Sequence, residues 1–114
     1  MPRRLHIQIQ RLRSNRASEH IDVLLHAILA HAGAQAVHLD VDVEPSDEYC
    51  NIFIQVQKAA TLWKRLEAFI AENPHEFEWL KKRWIVVLQG KSGWDDYLML
   101  DHFDSSVKLD MAES

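Results

Sequence analysis

Three segments of this chain alternate apolar and polar residues almost without exception. They cover about residues 5–12, 36–44 and 50–57. A period of two residues is typical of a β-strand that has one buried face and one solvated face. The alternation therefore predicts three strands, each of which lies with one face against a core.

Two further segments carry apolar residues at every third or fourth position, which is the period of an α-helix. Residues 21–32 form the first such stripe, and Gly33 follows where a residue with positive φ is favoured. Residues 59–70 form the second, which Asn73 and Pro74 are expected to end. Pro74 also suits the first position of a short further helical piece.

Residues 84–89 are apolar at both parities, which predicts a strand covered on both faces. A Gly-Lys-Ser-Gly turn at 90–93 then leads into a last strand near 97–102. Short right-handed connections between these elements predict an α+β, ferredoxin-like split-βαβ sandwich, β-α-β-β-α-β plus a fifth strand, with the helices on one face of an antiparallel sheet. The predicted strand order is 5-4-1-3-2.

The length and composition fit one domain. The 114 residues are enough to bury a single core, and hydrophobic residues at 47% with charged residues at 26% are typical of globular proteins. We assign residues 1–104 to a single α+β domain and residues 105–114 to a loosely ordered C-terminal tail. No apolar run approaches the roughly 20 residues that span a bilayer, and no signal peptide is recognised, so we expect a cytoplasmic protein without a membrane partner.

Charge is unevenly distributed along the chain. Five arginines fall within the first sixteen residues, whereas all seventeen acidic residues lie later, beside only eight basic ones. An acidic body repels phosphate groups, so general nucleic-acid binding is not expected. Cys50 is the single cysteine, which excludes an intramolecular disulfide and a thiolate metal cage.

The second predicted strand carries its polar side chains on one face. These residues are His38, Asp40, Asp42 and Glu44. Carboxylates suit a hard divalent cation, but side chains about 7 Å apart along a straight strand do not converge on one ion, and we expect neither a metal nor another cofactor. Acidic residues on an edge strand also prevent sheet-to-sheet aggregation. Recognition of a partner is the functional alternative.

No catalytic motif of comparable strength is present. A group of acids and a histidine lies near the last strand, where turn capping or solvation explains them more simply than acid–base chemistry: Asp95, Asp96, Asp101, His102 and Asp104. His20 and His31 lie three turns apart on the first helix, which is not the spacing of zinc ligands. The sequence thus favours a non-enzymatic protein without deciding the question.

Phe53 differs from the other apolar residues, because the alternation points it to the open face among polar neighbours. If Trp84, Val86 and Leu88 of the fourth strand share that face, the apolar patch exceeds what a monomer usually leaves in water. The C-terminal tail, or a second copy of the chain in a homodimer, would then cover it.

Two classes of function follow from these patterns. The first is a small, acidic, non-enzymatic module with an inhibitor- or immunity-like role, which binds a basic protein partner. Its predicted contact residues are His38, Asp40, Asp42, Glu44, Phe53 and Gln55. The alternative is a small-molecule-sensing domain or a small enzyme with a pocket on the open sheet face. The predicted polar lining of that pocket is His6, Gln8, His38, Asp40 and Gln55.

Overall fold

A computed structural model gives the fold of this chain and describes residues 3–12, 17–32, 38–44, 48–90 and 93–110. The elements follow in this order: β1 (Arg3–Gln10), α1 (Ala17–His31), β2 (His38–Val43), β3 (Tyr49–Val56), α2 (Ala59–Glu72), α3 (Pro74–Lys81), β4 (Trp84–Gly90) and β5 (Gly93–His102). The predicted α+β class with a five-stranded antiparallel sheet is confirmed. Gly33 and the centre of the turn at 90–93 lie outside the described residues.

The sheet has the order β2-β3-β1-β4-β5, which reads 5-4-1-3-2 from the β5 edge. Each strand is antiparallel to its neighbours. In the central strand, Ile7 lies opposite Ile52 of β3 and Val86 of β4. Because side chains alternate between the faces of a strand, this register gathers the apolar positions of β1, β3 and β4 on one face.

The helices cover that apolar face. α2 contacts β1 and β3, while α1 and α3 contact α2 and each other. Alternate strand residues form one core cluster with buried residues of all three helices, including Leu24 of α1, Leu66 of α2 and Phe77 of α3. No helix in the described ranges is both long and apolar enough to span a membrane.

The fourth strand corrects one expectation about the open face. Trp84, Val86 and Leu88 are fully buried in the core, because the register places them opposite Ile9, Ile7 and Leu5 of β1. The exposed patch that these three residues would have formed is therefore not present. Two other residues of β4, Ile85 and Val87, take the open face instead.

α2 and α3 are separated at Asn73, as the sequence predicts. The Asn73 side chain donates a hydrogen bond to the carbonyl oxygen of Phe69 at 2.9 Å, and its backbone N–H donates to Ile70 at 3.1 Å. Pro74 then occupies the first turn of α3, where its missing N–H costs no helical hydrogen bond.

β5 is attached to the core through an irregularity in its pairing. The register with β4 shifts between Val86 and Val87, so Leu100 is an extra residue in β5. As a result Asp101 lies on the covered side, where its Oδ2 accepts a hydrogen bond from Trp84 Nε1 at 3.0 Å.

The chain beyond β5 returns to the edge of that strand. The Asp110 N–H donates to the Met99 carbonyl oxygen at 2.7 Å, and the Asp110 carboxylate accepts the Met99 N–H at 2.8 Å. These bonds attach the described part of the expected tail to β5. The division into a domain and a tail stays a prediction.

Candidate functional site

The sheet face opposite the helices carries rows of residues that run across neighbouring strands. The central row is Asp40, Phe53, His6, Val87 and Met99. The adjacent row is Asp42, Asn51, Gln8, Ile85 and His102. The register therefore joins the acidic positions of β2 directly to Phe53. We refer to the whole sheet face opposite the helices, which includes these two rows, as the open face.

Phe53 is held in place by two neighbours on β1. The His6 ring stacks on it with centroids 4.5 Å apart and an interplanar angle of 15°, and the Arg4 guanidinium carbon lies 5.3 Å from the Phe53 centroid. His6 Nε2 lies 2.8 Å from Asn51 Oδ1, an oxygen that can only accept, so this nitrogen carries the proton. Phe53 is thus a half-buried aromatic ring of fixed orientation at the centre of the open face.

A groove of about 460 Å³ lies beside Phe53. Its walls are formed by Arg4, His6, Phe53, Gln55, Val87, Gln89 and Tyr97. The groove has the size of a small-molecule site. It contains His6 and Gln55 of the predicted pocket lining, whereas Gln8, His38 and Asp40 lie on other parts of the open face or its edge.

Four of the groove residues were not assigned to a site from the sequence: Arg4, Val87, Gln89 and Tyr97. Arg4 was considered only as charge, although its parity in β1 matches that of His6 and is a signal for the same face. Tyr97 lies opposite Gln89 across the β4–β5 pair, and this pairing could not be deduced from the local pattern.

The acidic strand β2 forms one edge of the sheet and remains in contact with solvent. His38 Nε2 and Asp40 Oδ2 are 3.3 Å apart, and both side chains are about 70% exposed. His38 lies opposite Gln55, and Asp40 lies opposite Phe53. Glu44 follows the end of β2, so it extends the acidic sequence without belonging to the paired strand.

A metal site on this edge requires side chains that converge on one ion. Among the residues that the structure describes, no group of three or more His, Cys, Asp or Glu side chains could hold a metal ion. Asp40 and Asp42 are both exposed on this strand.

The acidic group near β5 stabilises local structure. Asp101 accepts the Trp84 indole N–H and also the His102 backbone N–H, the latter at 2.9 Å. Asp104 accepts hydrogen bonds from the Ser106 N–H and hydroxyl, and these bonds hold the pKa of its carboxyl below the ordinary value. Asp104 thus caps a turn, as expected from the sequence, whereas the contact of Asp101 with the buried Trp84 was not expected.

Two histidines of α1, His20 and His31, pack against neighbouring groups, whereas His26 between them is exposed. His20 stacks on Trp79 of α3 with centroids 4.6 Å apart. His31 Nδ1 lies 2.8 Å from the Ala27 carbonyl oxygen, and its ring is tilted against Phe69 at 4.7 Å. Their partners lie on different helices, so the two imidazoles do not converge on one site.

Cys50 is not suited to nucleophilic chemistry. Its side chain is fully buried on the covered face of β3, opposite Val43 and Ile9. Burial, and secondarily the charge of Asp42, raise the pKa of the thiol to about 11. The reactive thiolate is therefore scarce at neutral pH.

Comparisons with protein-family models, curated proteins and solved structures found no significant match to this chain.

Proposed function

We propose that this chain is a cytoplasmic, acidic, non-enzymatic protein-binding module of the ferredoxin-like split-βαβ type. The position of β3 between β1 and β2 supports that fold type, with α3 and β5 as additions to it. The module docks its open face and the acidic strand β2 on a basic protein partner. An inhibitor- or immunity-like role suits a small protein with such a surface.

The observation that carries this proposal is the register of β2 with β3. It places the exposed carboxylate of Asp40 opposite Phe53, and that of Asp42 opposite Asn51. Exposed charges speed the encounter with an oppositely charged partner, while a desolvated aromatic ring contributes most of the affinity. Both elements occur side by side on a face that none of the three described helices covers.

The charges on this face also describe the partner. A complementary partner presents basic groups opposite Asp40 and Asp42 of β2, and an acidic or neutral group opposite Arg4 of β1. β2 and β1 are separated only by β3, so these two contacts lie about 10 Å apart across the sheet. We expect an apolar side chain of the partner to contact Phe53 between them.

Charge reversal tests this proposal. The double variant Asp40→Lys, Asp42→Lys should keep its melting temperature and lose at least about tenfold in capture of partners from native lysate, as quantified by mass spectrometry. Glu67→Lys, Glu72→Lys is the matched control, since both acids are exposed on α2 and the change in charge is equal.

The partners lost with the β2 variant should be basic proteins, and higher salt should weaken their capture by the unaltered chain. Equal losses in the β2 and α2 variants would show that net charge alone governs capture. Unchanged capture in both would remove β2 from the interface. Sedimentation of the purified chain separates these results from self-association through the open face.

A second candidate is supported by the groove beside Phe53. There Arg4, His6 and Gln55 surround a space large enough for a small molecule, which favours a sensing domain or a small enzyme. In that case a small-molecule screen by thermal shift should yield ligands that stabilise the unaltered chain and the Asp40→Lys variant equally. The Phe53→Ala variant should lose this stabilisation.

A further inference from the structure

A second cleft lies where β1 ends and β3 and β4 begin. It has a volume of about 670 Å³ and is lined by Gln10, Arg11, Glu48, Tyr49 and Arg83. None of these residues lines the groove beside Phe53. The cleft is therefore a separate site, and it brings together two arginines from opposite parts of the chain.

Arg83 is held rigidly in this cleft. Its guanidinium carbon lies 4.2 Å from the centroid of Trp79, and Nη1 donates to the Trp79 carbonyl oxygen at 3.1 Å. Its Nε is buried and has no hydrogen-bond partner among the described residues. A ligand in the cleft does not reach this buried nitrogen and would contact the part of the guanidinium that lines the cleft, which still changes the surroundings of the Nε–H.

Arg11 is directed to the same place by an unusual backbone conformation. Its φ of 56° is the one positive value of a non-glycine residue in the part of the chain that the structure describes. Its Nη2 donates to the carbonyl oxygen of Lys82, the neighbour of Arg83, and its guanidinium carbon lies 5.3 Å from the Phe103 centroid. Conformations of this kind cost energy and occur often at functional sites.

The two guanidinium groups repel each other. Burial first, and the charge of Arg11 second, lower the pKa of Arg83 below its ordinary value. No carboxylate forms an ion pair with either arginine among the residues described, although Glu48 lines the same cleft. An anion placed between the arginines would relieve this repulsion.

We propose that this cleft binds a phosphorylated small molecule, whose phosphate lies between the guanidinium groups of Arg11 and Arg83. A phosphate monoester carries about 1.5 to 2 negative charges at neutral pH and several acceptor oxygens, which matches two cations. A carboxylate carries one charge and matches a single guanidinium. The cleft volume of about 670 Å³ leaves room for a sugar beside the phosphate, and the negative charge of Glu48 at its wall disfavours further anionic groups.

NMR detection of arginine Nε–H groups in the intact chain tests this proposal directly. Inorganic phosphate and glucose 6-phosphate should shift the Arg83 Nε–H resonance in a saturable manner, with glucose 6-phosphate binding more tightly. Glucuronate, which presents a carboxylate on a similar sugar, should bind at least about tenfold more weakly than glucose 6-phosphate.

Two variants with a matched control localise the binding. Arg11→Gly removes one guanidinium and leaves a residue that adopts a φ of 56° without strain, so the fold is retained. Arg83→Lys keeps the charge and removes the planar group. Each should weaken the binding of glucose 6-phosphate at least about tenfold, followed by calorimetry. Arg65→Gln on α2 removes one charge outside the cleft and should leave binding unchanged.

Absence of a saturable shift at Arg83 would overturn the proposal, as would equal weakening by Arg11→Gly and Arg65→Gln. Glucuronate binding as tightly as glucose 6-phosphate would overturn the assignment to phosphate. The variants at Asp40 and Asp42 do not alter any residue that lines this cleft. Binding of a basic protein partner and binding of a phosphorylated ligand are therefore tested independently.

Discussion

The hydrogen bond between Trp84 and Asp101 joins the core to the strand that completes the open face. Trp84 is fully buried, and its Nε1 is 3.0 Å from Asp101 Oδ2. Asp101 reaches this position because Leu100 is an extra residue in β5. Trp84→Phe and Asp101→Ala should therefore destabilise the fold, and their effects should not add.

The contacts set the size of these effects. Trp84→Phe removes a hydrogen bond to a charged acceptor, worth about 1.5 to 3 kcal/mol, and leaves a small cavity that adds about 1 kcal/mol. Asp101→Ala removes the same bond together with the one from the His102 N–H. In the double variant the shared bond is lost only once. The coupling free energy should therefore be about 1.5 to 3 kcal/mol.

Urea unfolding followed by far-UV circular dichroism measures the free energy of unfolding for the four proteins of this cycle. The matched control cycle combines Trp84→Phe with Asp104→Ala, because Asp104 bonds within its own turn to Ser106. Coupling in the control should stay within about 0.5 kcal/mol. A Trp84–Asp101 coupling as small as that of the control would refute the reasoning, since the two groups would then contribute independently.

Three further predictions concern Cys50 and Phe53. Because the pKa of the buried Cys50 thiol is raised from 9.0 to about 11, a disulfide reagent at pH 8 should react only as fast as the chain unfolds; rapid reaction without denaturant would contradict this. Because the folded chain holds this pKa above its ordinary value, the neutral Cys50 thiol contributes its full stability below pH 9, and this contribution is lost as the pH rises through 11. The Cys50→Ala variant lacks this titrating group. Its melting temperature should therefore fall less steeply between pH 9 and 11 than that of the unaltered chain. Phe53→Ala should cost less than about 2 kcal/mol in urea unfolding, whereas Phe77→Ala in the core should cost about 3 to 5 kcal/mol, and equal losses would show that Phe53 is part of the core.

The sequence by itself determined which residues of β1 and β3 face the core, but not for the edge strand β2, whose apolar Val41 and Val43 stay 43% and 46% exposed. Leu5, Ile7 and Ile9 are fully buried, and His6 and Gln8 between them are not, as their alternation predicts. This works because successive side chains of a strand point to opposite faces, so local polarity is enough to assign them. The Asn73–Pro74 boundary was predictable for a similar reason, since proline restricts its own backbone and that of the preceding residue.

The tertiary structure decided everything that depends on pairing between distant segments. β4 is apolar at both parities, so only its register with β1 shows that Trp84 enters the core while Val87 joins the open face. The backbone hydrogen bond from Gln10 to Arg83, 2.9 Å long, likewise connects the end of β1 to the start of β4. It brings Arg11 beside Arg83. The periodicity of apolar residues does not predict this proximity, because it arises from pairing between strands that are far apart in the chain.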